Sequence, residues 1–398
     1  MNDLLKRLGL SHVLNVRRAV PPNDADDRAS PGGQQVRTLL EQAHAHGIKV
    51  LSGLGVYSWG FEAIIRAHPH LSRGNGRTLC PSVLESWAWQ RRVIDYMFSF
   101  PIDGVSMQSS DQGRCPCAEC AQWGDLEYHA RLNDQVAAYI KANWPGRVVG
   151  INNWGMNFAD PADMPHVLAM TRHADYLIDT HDSVRRRDLA YRRTLIAALP
   201  CAFGTVGVPH VEPPQHWARD RWFLPTLKRT AIHLQELYAD GGRAVENFMR
   251  LVANPGDEIA IRLATAVELD PTADWQPKLE AVLDDSYAPR GDTARQQLAE
   301  LFLRAEDAYF ANVYRLDDAG LIRLEPLESS QAGPPVYLTQ HMDTDGLARY
   351  TGELRELHAL AASLAGDVGN TARIATVARC IVRALDDCAA ARPLLAAV

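Results

Sequence analysis

No apolar run in the 398-residue chain approaches the ~20 residues a membrane-spanning helix needs, so no membrane partner is expected. The opening MNDLLKRLGLSHVLNV lacks a basic segment leading into a clean apolar stretch, so no secretory leader is expected either. No single charge dominates. The 41 Lys and Arg against 48 Asp and Glu leave a formal charge of −7, spread along the chain, which argues against nucleic acid as a partner. Cysteine is scarce, and its odd count of seven argues against a disulfide scaffold and for a reducing cytoplasm. No G-x-G-x-x-G follows the first strand-like run, and no G-x-x-x-x-G-K-[ST] occurs, so a nucleotide cofactor loses its usual signatures and no cofactor is expected. Repeats of fixed period and low-complexity tracts are also lacking.

What is present is a rhythm. Short apolar, strand-like runs recur at 12–16, 48–56, 102–107, 148–152, 176–179, 201–206 and 244–249. Stretches with apolar residues three and four apart separate them, at 34–46, 83–98, 128–143, 161–173 and 222–239. Strand alternating with helix for more than 200 residues implies a parallel sheet covered by helices. Seven such runs point to a TIM-like (β/α) barrel short of one strand, with 1–255 as the barrel domain. Beyond Asn254-Pro255-Gly256 the pattern changes to long helical periods at 293–314, 349–364 and 371–391, with a proline-bearing loop at 324–337. Residues 256–398 are therefore expected to form a mainly α-helical C-terminal domain, and a candidate homodimer surface.

In a (β/α) barrel the chemistry stands on the loops after the strands. Tyr57 and Trp59 follow the 48–56 run, and either pack the rim or stack a sugar ring, whose apolar face matches an aromatic one. After 102–107 comes Gln108-Ser109-Ser110-Asp111-Gln112-Gly113, where Asp111 either caps the next helix or serves as a carboxylate of the site. The 148–152 run ends in Asn152, Asn153 and Trp154, two amides and an indole that suit hydroxyl recognition. Asp179 and His181 follow 176–179, as a base with its partner or as a structural Asp–His pair. The densest polar and aromatic stretch follows 201–206 and carries His210, Glu212, His216, Trp217 and Arg221, with Glu212 the leading carboxylate. Glu246 lies within the last run, on a face that the sequence leaves undetermined. Cys115, Cys117 and Cys120 form C-x-C-x2-C, with His129 nine residues on. Three thiolates and an imidazole would satisfy tetrahedral zinc, but free thiols or a redox-sensitive bridge satisfy the same spacing, and no metal ligand is assigned.

The block IDGVSMQSSDQGRCPCAEC, the helix EYHARLNDQVAAYIKANWP and the strand VVGINNWG together resemble bacterial glycoside-hydrolase-like barrels. The resemblance is to uncharacterised relatives of glycoside hydrolase families 20 and 67, and it is specific only over 102–154. It implies a strand ending in an acid, then a Cys-rich loop and a helix. It also implies, as in family 67, a helical domain after the barrel. By order along the chain, Asp111, Asp179 and Glu212 take the places of the family 67 acids.

The expected function is hydrolysis of an oligosaccharide or glycoside by paired carboxylates across the scissile bond. Asp111 and Glu212 are the expected pair, with Asp179 the alternate base. Tyr57, Trp59, Trp154 and Trp217 would stack sugar rings. Gln112, Asn153, His181, His210, His216 and Arg221 would complete the carbohydrate site. A lyase or epimerase acting on uronic acids is the alternative, with His181 or His210 as base and Arg221 neutralising the carboxylate. The chain has Asp111-Gln112 where family 20 carries Asp-Glu, so a non-catalytic carbohydrate-binding barrel also fits.

Overall fold

The computed structural model describes residues 31–109, 112–154, 156–180, 184, 188–206, 221–247, 254–313 and 333–396. The chain divides into two compact units, Met1–Val206 with Asp240–Glu246, and Gly207–Ala239 with Asn247–Val398.

The first unit alternates helix and strand in the order expected. It comprises α1 (Pro31–Ala45), β1 (Leu51–Gly55), α2 (Glu62–Ala67), α3 (Leu84–Met97), β2 (Gly104–Gln108), α4 (Ala118–Ala121) and α5 (Asp125–Asn143). Then follow β3 (Val148–Asn152), α6 (Met164–Met170), β4 (Tyr176–Asp179), α7 (Leu189–Ala198), β5 (Ala202–Val206) and β6 (Ala244–Glu246). Each of these strands falls within one of the expected runs except β2, which extends one residue past its run to Gln108; the run at 12–16 lies outside the described residues. The helices form for local reasons. Gly47, at φ 72, stops α1 by donating its N–H to the His44 carbonyl at 2.9 Å. At the start of α5, Glu127 reaches back to accept the Gly124 N–H at 3.3 Å. Asp188 caps α7 by accepting the N–H groups of Ala190 and Tyr191. Along α5, Leu132, Val136 and Ile140 recur at four-residue spacing and are buried. Each such side chain contributes about 1.5–3 kcal/mol of apolar burial.

The six strands form one parallel sheet in the order β1-β2-β3-β4-β5-β6. Sequential order without reversal separates this sheet from doubly wound folds, whose order reverses at a switch point. Two alternating sets of side chains follow from the register. Val105, Met107, Val149, Ile151, Leu177 and Phe203 are buried and form the apolar layer on one face. Ser106, Gln108, Gly150, Asn152, Tyr176, Thr180 and Glu246 occupy the other.

That second face is concave. Asn152 on β3 donates from Nδ2 to Glu246 Oε2 on β6 at 2.5 Å. Three strand intervals in a flat sheet separate their backbones by about 14 Å, beyond the reach of the two side chains, so the sheet must curl. Tyr176 makes a similar crossing, from β4 over Gly150 on β3 toward Ser106 on β2. Gly150 makes this crossing feasible, because a Cβ built there would fall inside the Tyr176 ring. The result is a six-stranded parallel half-barrel.

At the opposite edge, carboxylates preceding the strands tie neighbours together. Asp103 accepts the Val50 N–H at 2.8 Å and pairs with His44 at 2.8 Å, while Asp175 accepts the Val149 N–H at 2.7 Å and pairs with Lys141 at 2.6 Å. The side chain of Arg192, almost wholly buried, pairs with Asp240 just before β6, and Arg193 Nε donates to the same carboxylate at 2.6 Å.

In the second unit the described elements are helical: α8 (Leu227–Ala239), α9 (Pro255–Leu269), α10 (Trp275–Tyr287), α11 (Asp292–Asn312), α12 (Pro334–His341), α13 (Thr344–Ser363) and α14 (Thr371–Ala396). Beside them is one isolated antiparallel bridge, Pro289 to Val368. The expected boundary at 255–256 runs through this set, since α8 packs against α9 and α11. Asn254 caps α9, accepting the Gly256 N–H at 2.9 Å, with Pro255 in the first turn. The core draws on Leu298, Phe302, Leu354, Leu357, Val377 and Ile381, all buried. The buried Glu306 on α11 accepts the N–H groups of Leu227, Lys228 and Arg229 at 2.9–3.0 Å, capping α8 from a distant helix. Within the expected loop at 324–337, the part from Pro334 onward is the first turn of α12, where proline's missing N–H costs nothing. Among the described residues no helix is long and apolar enough to cross a membrane.

Candidate active site on the concave face and a thiol cluster

The C-terminal ends of β3, β4 and β6 converge on one amide. Asn152 Oδ1 accepts the Thr180 hydroxyl at 2.7 Å and the Trp154 N–H at 2.9 Å. With both donors on the oxygen, Nδ2 is the atom that faces Glu246. Glu246 is half-buried and sits two residues beyond the register position of Asn152 toward the strand ends. Removal from water pushes its carboxyl above the ordinary Glu range, and the Asn152 bond only partly offsets this. The group is thus biased toward the protonated acid in a concave, polar setting. Below it, burial pushes the Tyr176 phenol up to about 12, so it stays protonated.

Of the sequence candidates, Asn153 and Asp179 face away from the concave side. Both belong to the buried, outward set. Asn153 Nδ2 donates to Asp179 Oδ1 at 3.0 Å, the Val184 N–H donates to Asp179 Oδ2 at 3.0 Å, and Asn153 Oδ1 accepts the Thr180 N–H at 2.7 Å. Neither is exposed. Parity along the strand decides this: in β3, residue 152 faces in and residue 153 faces out. Asp179 therefore holds the β4 end in place and leaves the set of candidate bases.

Tyr57 is corrected too. It is buried, its N–H donates to Gln90 Oε1 at 2.8 Å, and its hydroxyl donates to Gln135 Oε1 at 3.0 Å, so it packs the rim and offers no stacking face. Trp59 and Trp154 are half-buried at the ends of β1 and β3. Tyr57 and Trp59 both hold left-handed backbone, at φ 57 and 43. The chain folds back so closely that a Cβ on Gly55 would strike the Ser58 and Trp59 carbonyls. Left-handed aromatic residues carry a cost of about 1 kcal/mol each, and such strain collects at functional sites. Gln112 donates its N–H to Ser58 Oγ at 3.3 Å, which joins the β2 loop to this fold-back.

Arg221 belongs to the second unit, where its guanidinium forks onto Asp387 at 2.7 and 2.9 Å beside the Trp222 indole N–H, and so is not held for a substrate carboxylate. Asp111, His181, His210, Glu212, His216 and Trp217 lie outside the described residues. The sequence marks Asn152 only as one of two amides after the 148–152 run and leaves the face of Glu246 undetermined, so neither was chosen for the site. The signal for both was parity, which becomes readable only once the concave face is known.

The thiols converge elsewhere in the first unit. The sulfurs of Cys80, Cys115, Cys117 and Cys120 all lie within 4.8 Å of one another. The fourth member is Cys80 and not His129. The His129 imidazole is buried on α5, edge-on to Tyr128 at 5.2 Å between centroids, and burial lowers its pKa to about 4.

No family model matches the chain, and no curated protein matches it.

Proposed function

We propose that the protein is a glycoside hydrolase acting on an oligosaccharide or glycoside, with Glu246 as its general acid. One observation carries this reading: a half-buried carboxyl, raised toward its protonated form and oriented by Asn152, stands at the C-terminal ends of a sequentially ordered parallel sheet. Protonating a glycosidic oxygen needs a carboxyl whose pKa approaches the working pH, and desolvation is the usual means. Glu246 replaces Glu212 as the leading acid. Asp111 and Glu212 remain the sequence candidates for the second carboxylate. Trp59 and Trp154, half-buried at the ends of β1 and β3 on either side of β2, supply aromatic faces for sugar rings.

In this reading the half-barrel is part of a TIM-like barrel. Seven unpaired thiols support a reducing, cytoplasmic setting. The helical unit is its candidate homodimer surface.

The test is a product assay on the full chain with neutral, amino and uronic oligosaccharides, following new reducing ends and the absorbance of unsaturated sugars. The expected result is new reducing ends without absorbance, with Glu246→Gln slowing turnover about 10²–10⁴-fold. Absorbance would make the protein a lyase. Unchanged turnover in Glu246→Gln would remove Glu246 from the mechanism, and sugar binding without turnover would make the protein a binding barrel.

A further inference from the structure

We infer that Cys80, Cys115, Cys117 and Cys120 bind one zinc ion as a closed tetrathiolate site, which staples the segment after β1 to the loop after β2. Four sulfurs at about 2.3 Å from a tetrahedral zinc lie about 3.8 Å from each other. Cys80 and Cys117 already stand 3.6 Å apart, and the whole set lies within 4.8 Å, so a shift of about 1 Å completes the tetrahedron. The same 3.6 Å separation is far beyond the ~2.05 Å of a disulfide. Cys80, Cys115 and Cys120 are wholly buried and Cys117 half-buried, so protein atoms fill all four positions and no open position remains for a substrate. That marks the site as structural.

A hydroxyl borders the cluster: Ser82 Oγ lies 3.4 Å from Cys120 Sγ and 3.9 Å from Cys117 Sγ. Four thiolates and one divalent ion leave two negative charges; the Arg73 guanidinium lies near Cys80 and Cys117 but is paired with Glu119, whose carboxylate stands 3.6 Å from Cys117 Sγ. Both ligand-bearing segments are held rigidly before any ion arrives. Asn75 Oδ1 accepts from Arg77 N, Thr78 N and Thr78 Oγ1, while its Nδ2 donates to the Arg114 carbonyl at 3.2 Å, directly across to the other segment. Gly74, at φ 132, comes so close to Pro116 that a Cβ there would lie 2.6 Å from its ring. Tetrathiolate geometry suits zinc or a mononuclear iron, and zinc stands above ferrous iron in intrinsic affinity.

The test is elemental analysis and zinc-edge X-ray absorption on the full chain, purified with neither added metal nor chelator. The expected result is about one zinc per chain, surrounded by four sulfurs at about 2.3 Å. Cys80→Ser should lower zinc content at least tenfold, while Cys201→Ser, a thiol outside the cluster, should leave it unchanged. Should Cys80→Ser fail to fold, the absorption measurement on the unaltered chain decides alone. Less than about a tenth of a zinc per chain, iron in its place, or a nitrogen or oxygen in the first shell would each overturn the proposal. Sugar turnover is not part of this readout, so the site stands or falls apart from the proposed activity.

Discussion

Replacing Asn152 by Asp places a second carboxyl where an amide now faces Glu246. The Nδ2-to-Oε2 distance is 2.5 Å, so the two charge centres would stand about 4 Å apart. At an effective dielectric near 20, that repulsion is about 4 kcal/mol. The cost is limited by the alternative of protonating one carboxyl. Near neutral pH this costs at most about 3 kcal/mol, and less for Glu246, whose folded pKa is already raised. Asn152→Asp should therefore destabilise the first unit by about 2–3 kcal/mol near neutrality, read as a shift in the urea midpoint at unchanged slope. Adding Glu246→Gln reverses the polarity of the pair and restores one amide facing one carboxylate, so most of the loss should return. Were the sheet flat, the groups would sit about 14 Å apart across solvent and interact by only about 0.3 kcal/mol. A coupling below about 0.5 kcal/mol in this double-mutant cycle would refute the curl of the sheet and the orientation of Glu246 together.

Other consequences are smaller in scope. Arg192→Ala removes the buried partner of Asp240 and should cost about 3 kcal/mol in urea unfolding, whereas Arg193→Ala, whose side chain is mostly exposed, should cost less than about 1 kcal/mol. Glu306→Ala leaves three N–H groups at the start of α8 without their acceptor. It should cost about 3 kcal/mol and speed amide exchange at residues 227–229 first, while Glu306→Gln, which keeps one acceptor oxygen, should cost less. Gly150→Ala should cost about 1–3 kcal/mol by driving the Tyr176 ring from its place, and in a Tyr176→Ser background the same change should cost less than about 0.5 kcal/mol.

Much of the first unit was legible because its signals are local. The runs ending at Asn152 and Asp179 coincide with β3 and β4, since an apolar run bounded by polar residues needs only its own few positions to declare itself. Helices α9 and α10 were less visible, although Asn254-Pro255 is a cap followed by a first-turn proline. The loop after β1 shows the limit of residue type as a guide. Tyr57 and Trp59 look alike as sugar platforms, yet backbone fold-back buries one and leaves the other half-exposed. The site depended on facts that are not local. Whether residue 152 or 153 faces the concave side depends on how the whole sheet curls, and the pairing of Asn152 with Glu246 spans 94 positions. Cys80 lies 37 positions from Cys117, so no spacing rule built on C-x-C-x2-C would have found it, and His129 filled the gap only because it was near in sequence.

On the concave face Glu246 is a carboxyl held toward its protonated form by its removal from water. Titration of its side-chain carboxyl carbon by NMR, assigned by its loss in Glu246→Gln, tests this most directly. The expected result is a folded pKa above the ordinary 4.5. The sign for stability follows: the folded state retains this proton better than the unfolded chain, so the contribution is intact below the unfolded pKa. It is lost as pH rises through the folded one, and Glu246→Gln should abolish that decline. A titration at or below 4.5, with the same pH dependence of stability in Glu246→Gln as in the unaltered chain, would contradict it.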